Sequence, residues 1–355
     1  MKILLVGEFS GFFSNLKQGF NLLGHDVTMI ANQDGWKKIK GADITINSTL
    51  PSIFGKVSER LQYIMKIIFL PKYDYILIVN PNIDINHISG LFSFILRKKS
   101  QNIYLSACGT DEEYVKYGMS GKFEYWPFDK CEEQSLVSTK THKDIVNNID
   151  YVIPSFYDYA EPWRNSVHKN KVLKTIPLPI DTSNIKTYYP NNKDKIVFFH
   201  GLNSECKKGT KYIKQALENI KKKYPNDIEI VIDGQMPLEK YLELMKKVDV
   251  VVDQCKAYSY GSMNSLYAMS MGKVIMASFR DECKVEYDIK ENIEGIIHII
   301  PNIEFIEKKI DYIIRNKKNL NKWGKQNRKY VEDNHDSTVI AKKYLKVFQN
   351  TLVRM

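Results

Sequence analysis

Cysteine gives this chain no framework. Its five cysteines, Cys108, Cys131, Cys206, Cys255 and Cys283, are odd in number and scattered. None forms a C-x-x-C pair, which argues against disulfides and a structural zinc site and fits reduced thiols in a cytoplasmic protein. Long apolar runs are also missing: no stretch reaches the roughly 18 uncharged apolar residues of a bilayer-spanning helix. The opening MKILLVG is too short a run for a signal sequence and meets Gly7 and Glu8 at once, so it reads as a first strand rather than a targeting segment. No C2H2, RRM or basic-zipper pattern occurs, so no nucleic-acid partner is expected. The glycines do not spell G-x-G-x-x-G, so the dinucleotide fingerprint is absent.

What is present suffices for two domains. The chain has 355 residues, 43% of them hydrophobic, and a formal charge of +11 spread over dispersed lysines. Dispersed positive charge suits anionic ligands or an anionic membrane surface more than sequence-specific DNA reading. Lysine, asparagine and isoleucine are frequent throughout, so part of this charge reflects overall composition.

Strand, glycine loop, helix and strand follow one another within the first thirty residues. Ile3 to Val6 is an apolar strand, a helix carries Leu16, Phe20 and Leu23, and His25 to Ile30 is the next strand. That rhythm opens a doubly wound α/β domain. It continues through strands at Ala42 to Ile46, Tyr75 to Val79, Ile103 to Ala107 and Tyr151 to Ile153. The segment Ile53 to Leu70 is amphipathic, with Phe54, Val57, Leu61, Ile64, Met65 and Ile68 near helical spacing among Lys56, Arg60 and Lys66. It reads either as a helix packed on the sheet or as a basic helix lying on a membrane surface. Glu112 to Lys143 is loop-rich and aromatic, either a recognition surface or a packed excursion.

Domain boundaries follow from composition. Residues 1–181 form the first domain, and the polar stretch 182–195 is a linker. Residues 196–335 form the second domain, and 336–355 is a closing helix.

Two stretches of the second domain carry ligand chemistry. Val248 to Ser278 reads as buried strand, glycine loop, short helix and buried strand, with a helix beginning near Ser262 that would aim free N–H groups at an anion. An ordinary βαβ unit is the alternative. The other stretch runs from His200 and Gly201 at a strand end to Lys207, Lys208, Gly209 and Thr210. Cations are disfavoured at a helix start, so the lysines there suggest a phosphate ligand rather than a solvated pair.

These stretches resemble the GT-B nucleotide-sugar glycosyltransferases, particularly the retaining family usually numbered four. The resemblance lies in HGLNSECKKGTKYIKQAL (His200 to Leu217), VIDGQMPLEKYLELMKKVDVVVDQ (Val231 to Gln254), YGSMNSLYAMSMGKVIMAS (Tyr260 to Ser278) and the N-terminal VGEFSGFFSNLKQGFNLLGHDVTMI (Val6 to Ile30). It implies an α/β fold of two Rossmann-like doubly wound domains facing a central cleft. The first would serve the acceptor and the second the nucleotide-sugar donor, with the C-terminal helix packing back toward the first. Lys208 matches the lysine that contacts the donor diphosphate. The arginine that usually accompanies it is missing, and Lys207 is the available substitute. The two positions that carry glutamates in the family hold Ser259 and Tyr267 here, so neutral hydroxyls would replace charge-assisted contacts to sugar and ribose.

The resemblance also places His200, Gly201, Gly234, Asp253, Gln254, Tyr260, Gly261, Ser262 and Met263 around the donor, and Ser10 and Gly11 opposite it. Asp111, after Cys108-Gly109-Thr110, either orients an acceptor hydroxyl or caps the helix that follows.

The chemistry so implied is glycosyl transfer with retention. Lys208 and backbone N–H groups would stabilise the leaving diphosphate, whose oxygen accepts the incoming hydroxyl's proton. No D-x-D motif occurs, so no metal or other cofactor is expected. The acceptor implied is a glycan or a lipid-linked glycan of bacterial surface polysaccharide, capsule or lipopolysaccharide, made by a cytoplasmic enzyme in peripheral contact with an anionic membrane. A catalytically silent subunit binding a partner enzyme or glycan, and a nucleotide-sugar epimerase, are the alternatives.

Overall fold

The computed structural model describes residues 1–50, 52–83, 85–126, 128, 137–191 and 194–352. Cys131, part of the aromatic stretch 112–143, residues 192 and 193 of the polar stretch 182–195 and the last three residues lie outside them. The chain divides into two compact units. One comprises Met1–Lys122, Asp129–Pro179 and Ser337–Met355; the other comprises Phe123–Phe128 and Ile180–Asp336.

The first unit runs β1 (Lys2–Val6), α1 (Phe12–Leu22), β2 (Asp26–Ala31), β3 (Ile44–Thr45), α2 (Ser52–Phe69) and β4 (Tyr75–Ile78). It continues with α3 (Ser89–Lys99), β5 (Ile103–Ala107), α4 (Glu112–Met119), α5 (Thr139–Val146), β6 (Tyr151–Pro154) and α6 (Tyr157–Arg164). The six strands pair in parallel in the order β3-β2-β1-β4-β5-β6. Ile3 to Val6, Tyr75 to Ile78 and Ile103 to Ala107 are buried along their length, as strands covered by helices on both faces must be.

The second unit runs β7 (Ile196–Gly201), α7 (Glu205–Lys208), α8 (Thr210–Lys223), β8 (Ile228–Asp233), α9 (Leu238–Met245) and β9 (Val250–Val252). It continues with α10 (Met263–Ser270), β10 (Val274–Ala277), α11 (Asp281–Glu286), β11 (Ile296–His298), α12 (Ile303–Arg315) and α13 (Leu320–Asn334). Its five parallel strands take the order β11-β10-β9-β7-β8. Phe198, Val250, Val252, Val274 and Met276 of the sheet pack with Ile213 and Leu217 of α8 and Ile306, Ile310 and Ile313 of α12 in one core. The last helix, α14 (Ser337–Leu352), belongs to the first unit, where Phe348 stacks on Tyr75 at 4.3 Å and Tyr344 shares a hydrogen bond with Ser106.

α2 departs from its packed reading. Tyr63, Ile64 and Ile67 turn inward, and Tyr63 meets Phe92 of α3 edge to face at 5.8 Å. Phe54, Val57, Leu61, Met65 and Ile68 are all exposed, Phe54 to 69%. The apolar stripe legible in the sequence is mostly the outer face of the helix, because a narrower set of three residues turns inward, with Tyr63 making the contact with α3. No helix among the described residues is long and apolar enough to cross a membrane.

Candidate functional site

In the second unit the chain leaves β7 toward β8 on one side and reaches β9 on the other, so the carboxyl ends of β7 and β9 flank a topological switch point. Ligands of open parallel sheets bind at such points, because the loops diverge and leave a crevice. Asp253 follows β9 there, Gly201 ends β7, and Lys208 and the start of α10 stand beside them.

Asp253 is the hub. It is fully buried and accepts from Lys208 Nζ at 2.9 Å, from Asn264 Nδ2 at 2.7 Å, from Ser265 Oγ at 2.9 Å and from Ser262 Oγ. Burial alone would push its carboxyl up, but the Lys208 charge and hydrogen bond, with those of Ser262 and Ser265, hold it below the ordinary carboxylate range. Tyr241 of α9 extends the network by donating to Asn264 Oδ1 at 2.6 Å, and Tyr267 lies edge to face with its ring.

Lys208 is buried and held by its backbone as well as its charge. Cys255 N donates to its carbonyl at 3.0 Å. Gly209, left-handed at φ 72°, turns the chain between α7 and α8, and a Cβ there would stand 2.5 Å from Cys255 Sγ. Only glycine satisfies both demands, so the Lys-Gly pair is a structural unit. Burial pushes the Cys255 thiol up to about 12, which makes it a packing group rather than a nucleophile.

α10 begins at Met263, and Ser262 caps it by accepting from Ser265 N. Among the described residues the N–H groups of Met263 and Asn264 have no hydrogen-bond partner, which leaves two donors of the first turn for an anion. Ser259 Oγ is buried without a hydrogen-bond partner among the described residues, an arrangement a ligand hydroxyl would complete. Gln254 spends its amide on Ser259 O at 3.1 Å. Lys207 is half-buried with its ammonium 5.3 Å above the Phe128 ring. The aromatic stretch contributes here: Phe123 packs on Tyr258, Glu124 N donates to the Tyr258 hydroxyl at 3.0 Å, and Arg280 lies 4.2 Å over Tyr258 while pairing with Glu124.

Several expected contacts have other duties. His200 has no exposure; its Nδ1 bonds Val252 O at 2.7 Å and its Nε2 bonds Thr210 Oγ1 at 2.8 Å. Burial, then the Lys208 charge, lowers it to about 4, so the ring is neutral and ties β7 to β9 and α8. Tyr260, expected at the donor, is instead a core residue whose hydroxyl bonds Tyr330 and His335, each at 2.8 Å. Gly234 is needed for close approach, since a Cβ there would meet Leu202 backbone at 2.8 Å. Gly261 is buried between Tyr260 and the cap.

In the first unit, the position an anion would take before α1 is filled by the chain itself. The buried Glu8 carboxylate accepts from Gly11 N, Phe13 N, Ser14 N and Ser14 Oγ. Ser10 N donates to Asp34, and Lys37 donates to Ser10 Oγ. Ser10 and Gly11 are thus engaged by Asp34 and Glu8, and Glu8 is a residue that sequence reading passed over. Asp111 is fully buried: Oδ1 caps α4 through Tyr114 N at 2.8 Å and Oδ2 accepts from Trp163 Nε1 at 2.9 Å. Its carboxylate serves the cap and the Trp163 contact, as the capping alternative required, and it is closed off from solvent.

No family model matches the chain, and no curated protein matches it. Solved structures do. A sucrose-phosphate synthase from Thermosynechococcus elongatus aligns over 100% of both chains at 15% identity with a TM-score of 0.68. HepE of Anabaena, solved with UDP and glucose, aligns over 99% of this chain and 100% of its own at 11% identity and 0.64. A UDP-GlcNAc 2-epimerase from Neisseria meningitidis, bound to UDP-GlcNAc, aligns over 99% and 100% at 13% identity and 0.55. These likenesses, with the two parallel sheets, establish an α/β fold of two Rossmann-like domains, as found in GT-B proteins.

Proposed function

We propose that the protein is a glycosyltransferase whose second unit holds a nucleoside-diphosphate sugar at the ends of β7 and β9. The observation that carries this reading is the buried Lys208 ammonium beside the uncapped N–H groups of Met263 and Asn264. Together they offer a point charge and two oriented dipoles where a diphosphate's charge grows as the sugar departs. Lys208 would exchange part of its contact with Asp253 for phosphate oxygen, and Asp253 would keep its other three donors. Ser259 and Tyr267 would make neutral hydrogen bonds to sugar or ribose. In the retaining scheme the departing phosphate accepts the acceptor's proton, which needs neither a carboxylate nucleophile nor a metal. HepE and the Neisseria epimerase are described with UDP or a UDP-sugar, which supports the ligand class.

We further propose that the acceptor is lipid-linked and that α2 rests on an anionic membrane. The support is its exposed Phe54, Val57, Leu61, Met65 and Ile68 beside Lys56 and Arg60, the pairing of apolar and basic faces that interfacial helices use. Assembly of a bacterial surface polysaccharide from the cytoplasmic side suits such a helix.

The epimerase reading draws on the Neisseria likeness, but epimerisation requires free acid and base groups. At this site Asp253 is paired and His200 is neutral with both nitrogens bonded. The silent-subunit reading draws on Ser259 and Tyr267 standing where the family has glutamates. Incubation with a panel of nucleotide sugars, followed by sugar release and by the configuration at C2 of the recovered sugar, separates the three. Release or transfer without C2 inversion supports the proposal, C2 inversion supports the epimerase, and no turnover with any donor supports the silent subunit.

A further inference from the structure

A second cluster of chemically able side chains lies in the first unit and plays no part in the reading above. Glu113 stands in the first turn of α4, His142 lies on α5, and His168 precedes the turn at Lys169–Lys171. One donor atom from each lies within 4.8 Å of the others. His142 Nε2 is 3.4 Å from Glu113 Oε1, and His168 Nε2 is 3.9 Å from the same oxygen.

We propose that Glu113, His142 and His168 bind one divalent ion of the zinc class. Bonds of about 2.0–2.1 Å to imidazole nitrogen and carboxylate oxygen give a tetrahedral edge of roughly 3.3 Å. The observed 3.4 Å matches that edge, and a small side-chain rotation closes 3.9 Å to it. Two imidazoles and one carboxylate form a borderline donor set that suits zinc and its neighbours rather than magnesium or calcium. Three protein ligands leave a fourth position for water.

The independent observation is the state of His142. It is only 5% exposed, yet neither ring nitrogen has a hydrogen-bond partner among the described residues. Its Nε2 lies at ion-pair distance, 3.4 Å, from Glu113 Oε1, but the approach is not aligned for a hydrogen bond. A buried imidazole whose Nδ1 has no hydrogen-bond partner among the described residues, and whose Nε2 meets Glu113 without a well-formed hydrogen bond, leaves donor capacity for a ligand. A metal accepts one lone pair and makes the convergence of three otherwise separate segments intelligible. The rings of His142 and His168 pack on Trp163, whose indole N–H holds Asp111. A metal here would therefore clamp α4, α5 and the segment that follows α6, and steady the loop after β5. It would be independent of the donor site in the second unit.

The test uses the full chain without a histidine tag, stripped by chelator and titrated with Co2+ and with Zn2+. The expected result is one equivalent bound, a visible tetrahedral Co2+ spectrum, and a melting temperature raised by roughly 5–10 °C at a hundredfold excess of Zn2+ over Kd. His168→Ala, at the most exposed ligand, should abolish the spectrum and the shift while circular dichroism stays native. Glu113→Gln should weaken binding at least tenfold. His87→Ala, at an exposed histidine elsewhere, should change nothing. No spectrum and no thermal shift in the wild-type chain would overturn the proposal, as would undiminished binding in folded His168→Ala.

Discussion

Removing the two partners of the Lys208–Asp253 pair should have unequal effects on stability. At 2.9 Å their attraction is about 6 kcal/mol for an effective dielectric constant near 20, most of it offset by the cost of burying both charges. Asp253→Asn removes the counter-charge and strands an ammonium whose side chain is only 9% exposed. The cost of such an unpaired buried charge is about 3–5 kcal/mol. Lys208→Met leaves a carboxylate that still accepts from Ser262, Asn264 and Ser265, and fills the lysine's volume with an apolar chain. That change should cost roughly 1–3 kcal/mol. Urea unfolding at pH 7, followed by far-ultraviolet circular dichroism, should rank wild type above Lys208→Met above Asp253→Asn. A nucleoside diphosphate should restore more stability to Asp253→Asn than to wild type, because its charge replaces the missing carboxylate, and less to Lys208→Met than to wild type. Equal losses, the reverse order, or an identical ligand effect in both variants would refute the reasoning.

Three further outcomes follow from the same geometry. His200 is lowered to about 4 from an ordinary 6.5, so below pH 6.5 the unfolded chain binds a proton that the folded chain refuses. Its neutral form therefore favours folding fully above pH 6.5, and stability falls as pH drops toward 4, by up to about 3 kcal/mol; His200→Gln should flatten that slope in thermal melts from pH 4.5 to 7. Gly209→Ala should cost about 2 kcal/mol or more from its left-handed backbone and the Cys255 contact, and it should weaken nucleotide binding by displacing Lys208. Phe54→Asp with Leu61→Asp should cut binding to anionic vesicles at least tenfold while leaving the melting temperature within a few degrees, since both side chains face outward; unchanged sedimentation with vesicles would sink the membrane reading.

The parallel sheets were legible because each strand is a short apolar run with turn residues at its ends. Ile103 to Ala107 matches β5 to the residue, and Ser262 caps α10 where the helix was expected to begin. Local pattern was less informative where long-range pairing decides. Asp253 stood out as polar at a strand end, but its partners Asn264 and Ser265 gain meaning only once α10 folds beside it. Thr210 looked like a helix start and also orients His200. Tyr260 sat inside a ligand-like motif, yet its ring is claimed by Tyr330 and His335, some seventy positions on. α5 begins at Thr139 behind a Ser138 cap inside a stretch that looked irregular, which hid His142 from sequence reading. In α2 periodicity revealed an amphipathic helix but not which apolar face packs inward.

The central claim is that Lys208 and the start of α10 hold a nucleoside diphosphate. Calorimetric titration of UDP into the wild-type chain and into Lys208→Met tests it most directly. The account predicts saturable binding to the wild type at one site and at least tenfold weaker binding, a loss of about 1.4 kcal/mol, in the variant. Equal affinity in the two proteins, or no binding to the wild type by any nucleoside diphosphate, would contradict it.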